Sequence, residues 1–360
     1  MAITGQIVNV QATVVAAPQP STLQQSGALV SFGGTTLTTG SYAYCQNLAA
    51  LTALLSTAGN YVELGHMGAT FFAQGSAIGV YVLELGVQAS VPTQITDLGT
   101  WITNNSSPQI FYAYLVPAAW DGQAADVETM AGNYSSPTGK TYFFVTGSTG
   151  TLSDYTAKSI FNTIPSPNAA SSEFQAAAPF YQWLANSPSL AAPTPPMAFR
   201  YVFGVTPWPQ NSSTIGTILT GYGNVITSAA QGGISEDMLQ NGTTMDGNQA
   251  IFWYATDWLL INAQQQLTAA VINGSNSNPP LYYNQFGINT LLGVLTSLGQ
   301  TFVSIGLGLS ATFQAIPFAT YVAANPNDYA AGIYKGFSCV EIPQLGFLSI
   351  TFYVTASSVA

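Results

Sequence analysis

The first 62 residues carry no charged side chain, and positions 258–327 form a second charge-free stretch of seventy. Only 5% of the 360 residues are charged, 4 Lys+Arg and 14 Asp+Glu, whereas a soluble domain averages about one-quarter. The surface of such a chain must consist mainly of Ser, Thr, Asn, Gln, Gly and backbone. A surface of that kind is dehydrated against another subunit without stripping water from ions, so the composition points to an assembly and not a solitary monomer.

Collapse itself is not in question. A hydrophobic fraction of 48%, with 19 Phe, 19 Tyr and 6 Trp, is the opposite of the low-hydrophobicity, high-charge signature of disorder. The net charge is −10, and the cations Lys140, Lys158, Arg200 and Lys335 stand one by one. A nucleic-acid groove needs clustered Lys or Arg, so that class is excluded, and no Walker A pattern supports phosphoryl transfer. Cys45 and Cys339 lie far apart in sequence and form no disulfide framework; they read as two buried or half-buried thiols, and whether they meet is left open.

Along the chain, Ile3, Ile7, Val8, Val10 and Val14 give a loose β pattern. Pro18 and Pro20 interrupt it, and Leu29, Val30 and Phe32 end at Gly33-Gly34. Residues 1–39 are therefore expected to be an arm whose hydrogen bonds are completed elsewhere. Next come a helix from Cys45 to Leu55 with Ser41 as its cap, strands at Thr70–Ala73 and Gly79–Leu85, and a helix at Thr93–Thr103. The apolar run Ile110–Val116, a polar helix at Ala124–Asn133 and the run Thr141–Thr146 follow. This alternation predicts an α/β outer domain over 40–196 with a sheet covered on both faces. It closes with a Pro/Ala/Ser-rich stretch holding a short aromatic helix, Glu173–Leu184.

A core domain is expected over 197–344. Met197, Phe199, Tyr201 and Phe203 alternate as in a strand, with Arg200 on the opposite side as a surface or interface arginine. From Asn248 to Ile272 apolar positions recur every 3.6 residues, which gives a helix of about 35 Å after the boundary Asp246-Gly247-Asn248. A loop with Asn278-Pro279-Pro280 leads to a second helix at Ile288–Ile305. The pair lacks the basic face that DNA recognition requires. Phe302–Ala324 is apolar enough to raise a membrane span, but Gly306, Gly308, Gln314 and Pro317 interrupt it and no basic flank orients it, so no membrane insertion is expected. Residues 345–360 are uncharged, apolar and β-prone, and form a second arm. Neither arm carries the charge that normally protects an open strand edge, which points to strand addition between chains.

Candidate chemistry is sparse. His66, the only histidine, has Glu63 three residues before it, two ligands at most, and no G-x-S-x-G elbow supplies a nucleophile. Asp121, Asp126, Glu128 and the pair Glu236-Asp237 are the acids a glycoside hydrolase would need across a cleft. Asp126 and Glu128 read as a solvated helix end, and Glu236-Asp237 as part of a polar loop. No catalytic, metal-binding or cofactor residue is assigned, and no enzyme activity or cofactor is expected.

Four stretches taken in order carry a resemblance: GVTPWP after the strand at Phe199–Phe203; GISEDMLQNGTTMDGNQAIFWYATDWLLINAQQQLTAAV; NPPLYYNQFGINTLLGVLTSLGQ; and IYKGFSCVEIPQLGFLSITFYV. Together they resemble the contractile tail sheath proteins of myoviruses, in the short form without long inserted outer domains. The resemblance implies a non-enzymatic subunit of a phage virion, assembled in the host cytoplasm. It would stack as hexameric rings in a helix around a tail tube and bind tube, baseplate and tail terminator proteins. Contraction of the sheath would drive the tube through the host envelope. It further implies that arms at Ile3–Val15 and Leu345–Val354 add strands to neighbouring subunits, and that 197–360 provides the tube-facing surface. In such sheaths the contact with the tube is charge-based, a device that four cations hardly supply. Other readings of the composition remain a tail tube or capsid component, which the long helices disfavour, and a secreted carbohydrate-active enzyme.

Overall fold

The structure, a computed structural model, describes residues 22–209, 213–228 and 236–349. Strand β1 (Gly27–Ser31) is followed by β2 (Tyr42–Cys45), helices α1 (Leu48–Leu54) and α2 (Tyr61–Ala73), β3 (Val80–Glu84), α3 (Val91–Asn104) and β4 (Ala113–Leu115). Then come α4 (Ala124–Asn133), β5 (Tyr142–Thr146), β6 (Ile160–Thr163) and α5 (Ala177–Leu184). The strands form one six-stranded sheet in the order β2-β3-β1-β4-β5-β6. All neighbours are parallel except β2, which runs antiparallel on the β3 edge.

Side-chain alternation sends two apolar sets to opposite faces. Leu29, Tyr142, Phe144 and Phe161 pack with Leu51 of α1, Met67 and Phe71 of α2, and Phe180 and Trp183 of α5. Val30, Phe143, Val145 and Ile160 pack with Leu98 of α3, Val127 of α4 and Trp120. The α/β class with a doubly covered sheet is thus observed. The first of these clusters continues without interruption from Leu29 to Leu307.

Three local expectations need correction. β1 falls inside the segment expected to be an arm, yet it is the sheet's central strand, fully buried and bonded to β3 and β4. Its partners lie about 50 and 85 residues downstream, so nothing local announces them. Residues 1–21 lie outside the described residues. Thr70–Ala73 is not a strand but the last turn of α2, where Leu64, Met67, Gly68 and Phe71 are buried at helical spacing. The helix after Cys45 is capped by Asn47, whose side chain accepts from the Ala50 N–H at 2.9 Å, and not by Ser41.

The remainder comprises α6 (Ser213–Thr220), β7 (Val225–Ser228), β8 (Asp237–Gln240), the long helices α7 (Ala250–Ser275) and α8 (Gln285–Ser304), β9 (Gly308–Ala315), α9 (Phe318–Ala324), α10 (Pro326–Ala330) and β10 (Phe337–Pro343). β7 and β8 form an antiparallel pair. The expected strand at Phe199–Phe203 runs along β8 only irregularly. Phe199 N–H donates to Leu239 O (2.7 Å), Leu239 N–H to Arg200 O (2.9 Å) and Val202 N–H to Asp237 O (3.0 Å), while Phe199 itself has φ +62°. A phenylalanine in that left-handed region breaks the ladder.

Both expected long helices form, joined across 276–284. Only the first turns of α7 are fully buried, through Ala250, Ile251, Tyr254, Ala255, Asp257 and Leu259, while Leu298 and Phe302 near the end of α8 join the central core. Residues 302–324 divide between the end of α8, β9 and α9. Among the described residues one helix, α8, is long and apolar enough to cross a bilayer.

Candidate assembly surface

The feature that stands apart from the central sheet is the two-stranded sheet of β9 and β10. Pairing runs antiparallel from Phe337↔Ala315 to Ile342↔Ser310, with a bulge before Pro343↔Gly308. Antiparallel partners point to the same side. Ala311, Phe313 and Ala315 with Phe337, Cys339 and Glu341 therefore face the helices, and Ser310, Thr312 and Gln314 with Ser338, Val340 and Ile342 face outward. Val340 is 69% and Ile342 53% exposed. The sheet sits tightly on α8: a Cβ at Gly299 would lie 2.8 Å from the Ala311 carbonyl oxygen. Only glycine permits that approach.

Among the described residues neither β9 nor β10 has a second strand neighbour, so both outer edges offer unpaired N–H and C=O groups. The turn between them, α9 and α10, is closed by Tyr283, Phe318, Tyr321, Tyr329 and Tyr334, with ring centroids 4.7–6.1 Å apart. The one ion pair among the described residues, Lys335–Asp328 at 3.2 Å, lies at its rim. A groove of ≈ 340 Å³ between the ends of α7, α8 and β10 is lined by Leu267, Val271, Leu281, Ile288, Leu291 and Tyr334. Beyond β10 the chain is exposed: Leu345 is 53%, Leu348 43% and Phe347 75% accessible.

The side chains considered for chemistry do not converge. His66 is half-buried on α2; Glu63 accepts from the Ala118 N–H at 2.8 Å, and its burial pushes the carboxyl up. Asp121 accepts from Thr151 Oγ1 (2.6 Å) and Tyr155 Oη (3.3 Å). Glu128 on α4 binds the Thr156 hydroxyl and the Thr156 and Ala157 amides, while Asp126 is exposed. Asp237 opens β8 instead of lying in a loop, and Glu236 precedes it. Among the described residues no three His, Cys, Asp or Glu gather as a metal site. Arg200 is not an isolated surface residue. Its guanidinium donates to the carbonyls of Pro196 (2.9 Å), Gln182 (2.6 Å) and Pro195 and to Asn186 Oδ1 (2.7 Å), tying the end of α5 to the 195–196 stretch without a carboxylate. Both cysteines are free, Cys45 buried and Cys339 exposed on β10.

Sequence reading gave no role to two buried acids. Glu84, at the end of β3, accepts from Ser31 Oγ, Gly33 N, Thr35 N, Thr35 Oγ1 and Gly86 N at 2.7–3.1 Å. It fixes the loop after β1. Asp257, fully buried on α7, accepts from Tyr112 Oη (2.9 Å), Tyr142 Oη (2.8 Å) and Ser136 Oγ (2.6 Å). Burial pushes its carboxyl up to about 6, against the pull of these three donors. The cluster locks the long helix to β4 and β5. Its one sequence signal is position, since Asp257 falls three residues after Tyr254 on the buried face.

No protein-family model matches the sequence, and no curated protein matches it. Solved structures do. A chain of the six-fold symmetrised cryo-EM structure of the anti-feeding prophage baseplate superposes with a TM-score of 0.66 at 10% identity, covering 99% of this chain and 100% of that one. A chain of the same baseplate in its contracted state gives 0.56 at 13% identity, covering 99% and 98%. The crystal structure of a sheath tail protein from Listeria innocua gives 0.54 at 9% identity, covering 90% and 96%. The chain thus shares, over nearly its whole length, the fold found in a sheath tail protein and in contractile baseplate structures.

Proposed function

We propose that this chain is a structural, non-enzymatic subunit of a contractile tail sheath in a phage or phage-like particle. It stacks as hexameric rings around a tail tube and is organised as arm, outer α/β domain, core domain and second arm. The observation that carries this reading is the open-edged β9–β10 sheet on a chain that resembles a sheath tail protein in fold over 90% of its length. Arms from neighbouring copies, Ile3–Val15 and Leu345–Val354, supply the missing strands. The tube, the baseplate and a tail terminator are the further partners. Repeated head-to-tail contacts that do not close generate a helical tube. Contraction then exchanges one set of subunit contacts for a larger one, at about 25 cal/mol per Å² of apolar area newly buried, while the shared strands keep the subunits linked.

The likeness to baseplate chains favours one second reading, a sheath-like ring confined to the baseplate. Negative-stain microscopy of the purified chain separates the two. Long striated hollow cylinders are expected for a sheath and short discs for a baseplate ring. Persistent monodisperse monomers at high concentration would overturn both.

A further inference from the structure

Glutamine side chains tie both ends of the described chain to the start of α7. On the N-terminal side Gln24 is buried, and its Nε2 donates to the Tyr254 carbonyl at 2.9 Å and to Tyr112 Oη at 3.4 Å. On the C-terminal side Gln249 makes two bonds to one residue. Its Nε2 donates to Gly346 O and its Oε1 accepts from Gly346 N, both at 2.8 Å. That is the pairing an adjacent strand would offer. The chain threads so closely here that a Cβ on Gly346 would stand 2.5 Å from Pro196 Cγ.

The Gln249–Gly346 pair lies outside the regular hydrogen bonding of helix and sheet. Gln249 occupies the cap position of α7, yet its side chain makes no capping bond. Gly346 lies outside any strand, and the exposed Phe347 follows it directly. The clamp thus joins a rigid helix to a segment with little packing of its own. Gln249 and Tyr254 are separated by about 7.5 Å along the helix axis, and Asp257 pins the next turn to the sheet.

We infer that Gln249 and Gln24 are positioning residues that set where the two arms leave the subunit, and that the first two turns of α7 are the strut carrying load from one arm to the other. The inference rests on the sheath reading. Each clamp fixes the point from which its arm leaves the subunit, as a linked lattice requires when its subunits rotate. Gln249 serves the C-terminal arm through backbone bonds alone, so any sequence can follow Gly346 without disturbing it.

The test compares the full-length chain with its Q249A variant by hydrogen–deuterium exchange and by sedimentation of polymer across a concentration series. Exchange at the Gly346 amide is expected to rise about tenfold on loss of its acceptor, with the amides of β5 unchanged. The concentration needed for polymerisation is also expected to rise about tenfold. G346A attacks the clamp from the other side and decides the matter should Q249A fail to fold. Polymerisation of both variants at the wild-type concentration would overturn the inference and leave the sheath reading intact. Failure of the wild-type chain itself to polymerise would overturn both.

Discussion

Asp257 yields the most quantitative prediction. Its carboxyl titrates at about 6 in the folded chain against 3.8 when unperturbed. The folded value is the higher one, so the group's stabilising contribution is fully present below the unfolded value and is lost as pH rises through the folded one. At 1.36 kcal/mol per pH unit the whole effect is about 3 kcal/mol, of which about 1.4 kcal/mol falls between pH 5 and pH 8. D257N removes the charge and keeps the geometry: its carbonyl accepts from both tyrosines, and its NH2 donates to the Ser136 hydroxyl. Other carboxyls raised by burial, Glu63, Glu341 and Asp237, shift stability in the same sense. They do so equally in both proteins, so the difference isolates Asp257. Thermal unfolding followed by circular dichroism at low protein concentration should show wild type losing ground to D257N from pH 5 to pH 8. At roughly 1.3 °C per kcal/mol for a chain of this length, the gap changes by about 2 °C. Parallel curves across that range would refute the reasoning.

Further predictions concern the other buried acid and the arms. Glu84→Ala strands five donors and should cost about 4 kcal/mol or more, whereas Glu84→Gln, which keeps an acceptor, should cost clearly less; urea titration measures both. Deleting residues 1–15 should leave the circular dichroism spectrum and melting temperature unchanged but abolish ordered polymers in the microscope. Unfolding on deletion would instead place that segment in the subunit's own core. Because 258–327 is free of charge, polymerisation followed by light scattering should vary little between about 0.05 and about 0.5 M salt. A steep loss with salt would show that the few ions present govern assembly.

The parts of this fold legible in sequence are those set by local periodicity. The hairpin of α7 and α8 was marked by apolar residues at three and four, and β3, β5 and α4 by runs bounded with turn residues. β1 was misplaced because its partners, Tyr81–Glu84 and Ala113–Leu115, are remote and its own stretch ends in turn glycines. The end of α2 read as a strand because Thr70, Phe71 and Phe72 favour β structure in isolation; packing of Leu64, Met67 and Phe71 overrides that preference. The β9–β10 sheet was only partly legible: the closing stretch read as β-prone, whereas β9 lay within a segment also weighed as a membrane span. The glutamine clamps and the Asp257 cluster leave no periodic trace. A single Gln–Gly or Asp–Tyr bond between residues 97 to 145 apart becomes visible only once the backbone is placed.

If the arms of one copy complete the β9–β10 sheet of another as proposed, the exposed Cys339 on β10 is a native probe of the contact. Single cysteines scanned along Ile3–Val15 and Leu345–Val354, including V10C and Y353C, should form disulfides with Cys339 under mild oxidation of assembled material. Adjacent strands lie about 4.8 Å apart, within disulfide reach. The expected result is a ladder of covalent multimers on non-reducing gels, strongest at one register and absent in a C339S background. Cross-links confined to single chains, or no ladder at any position, would contradict it.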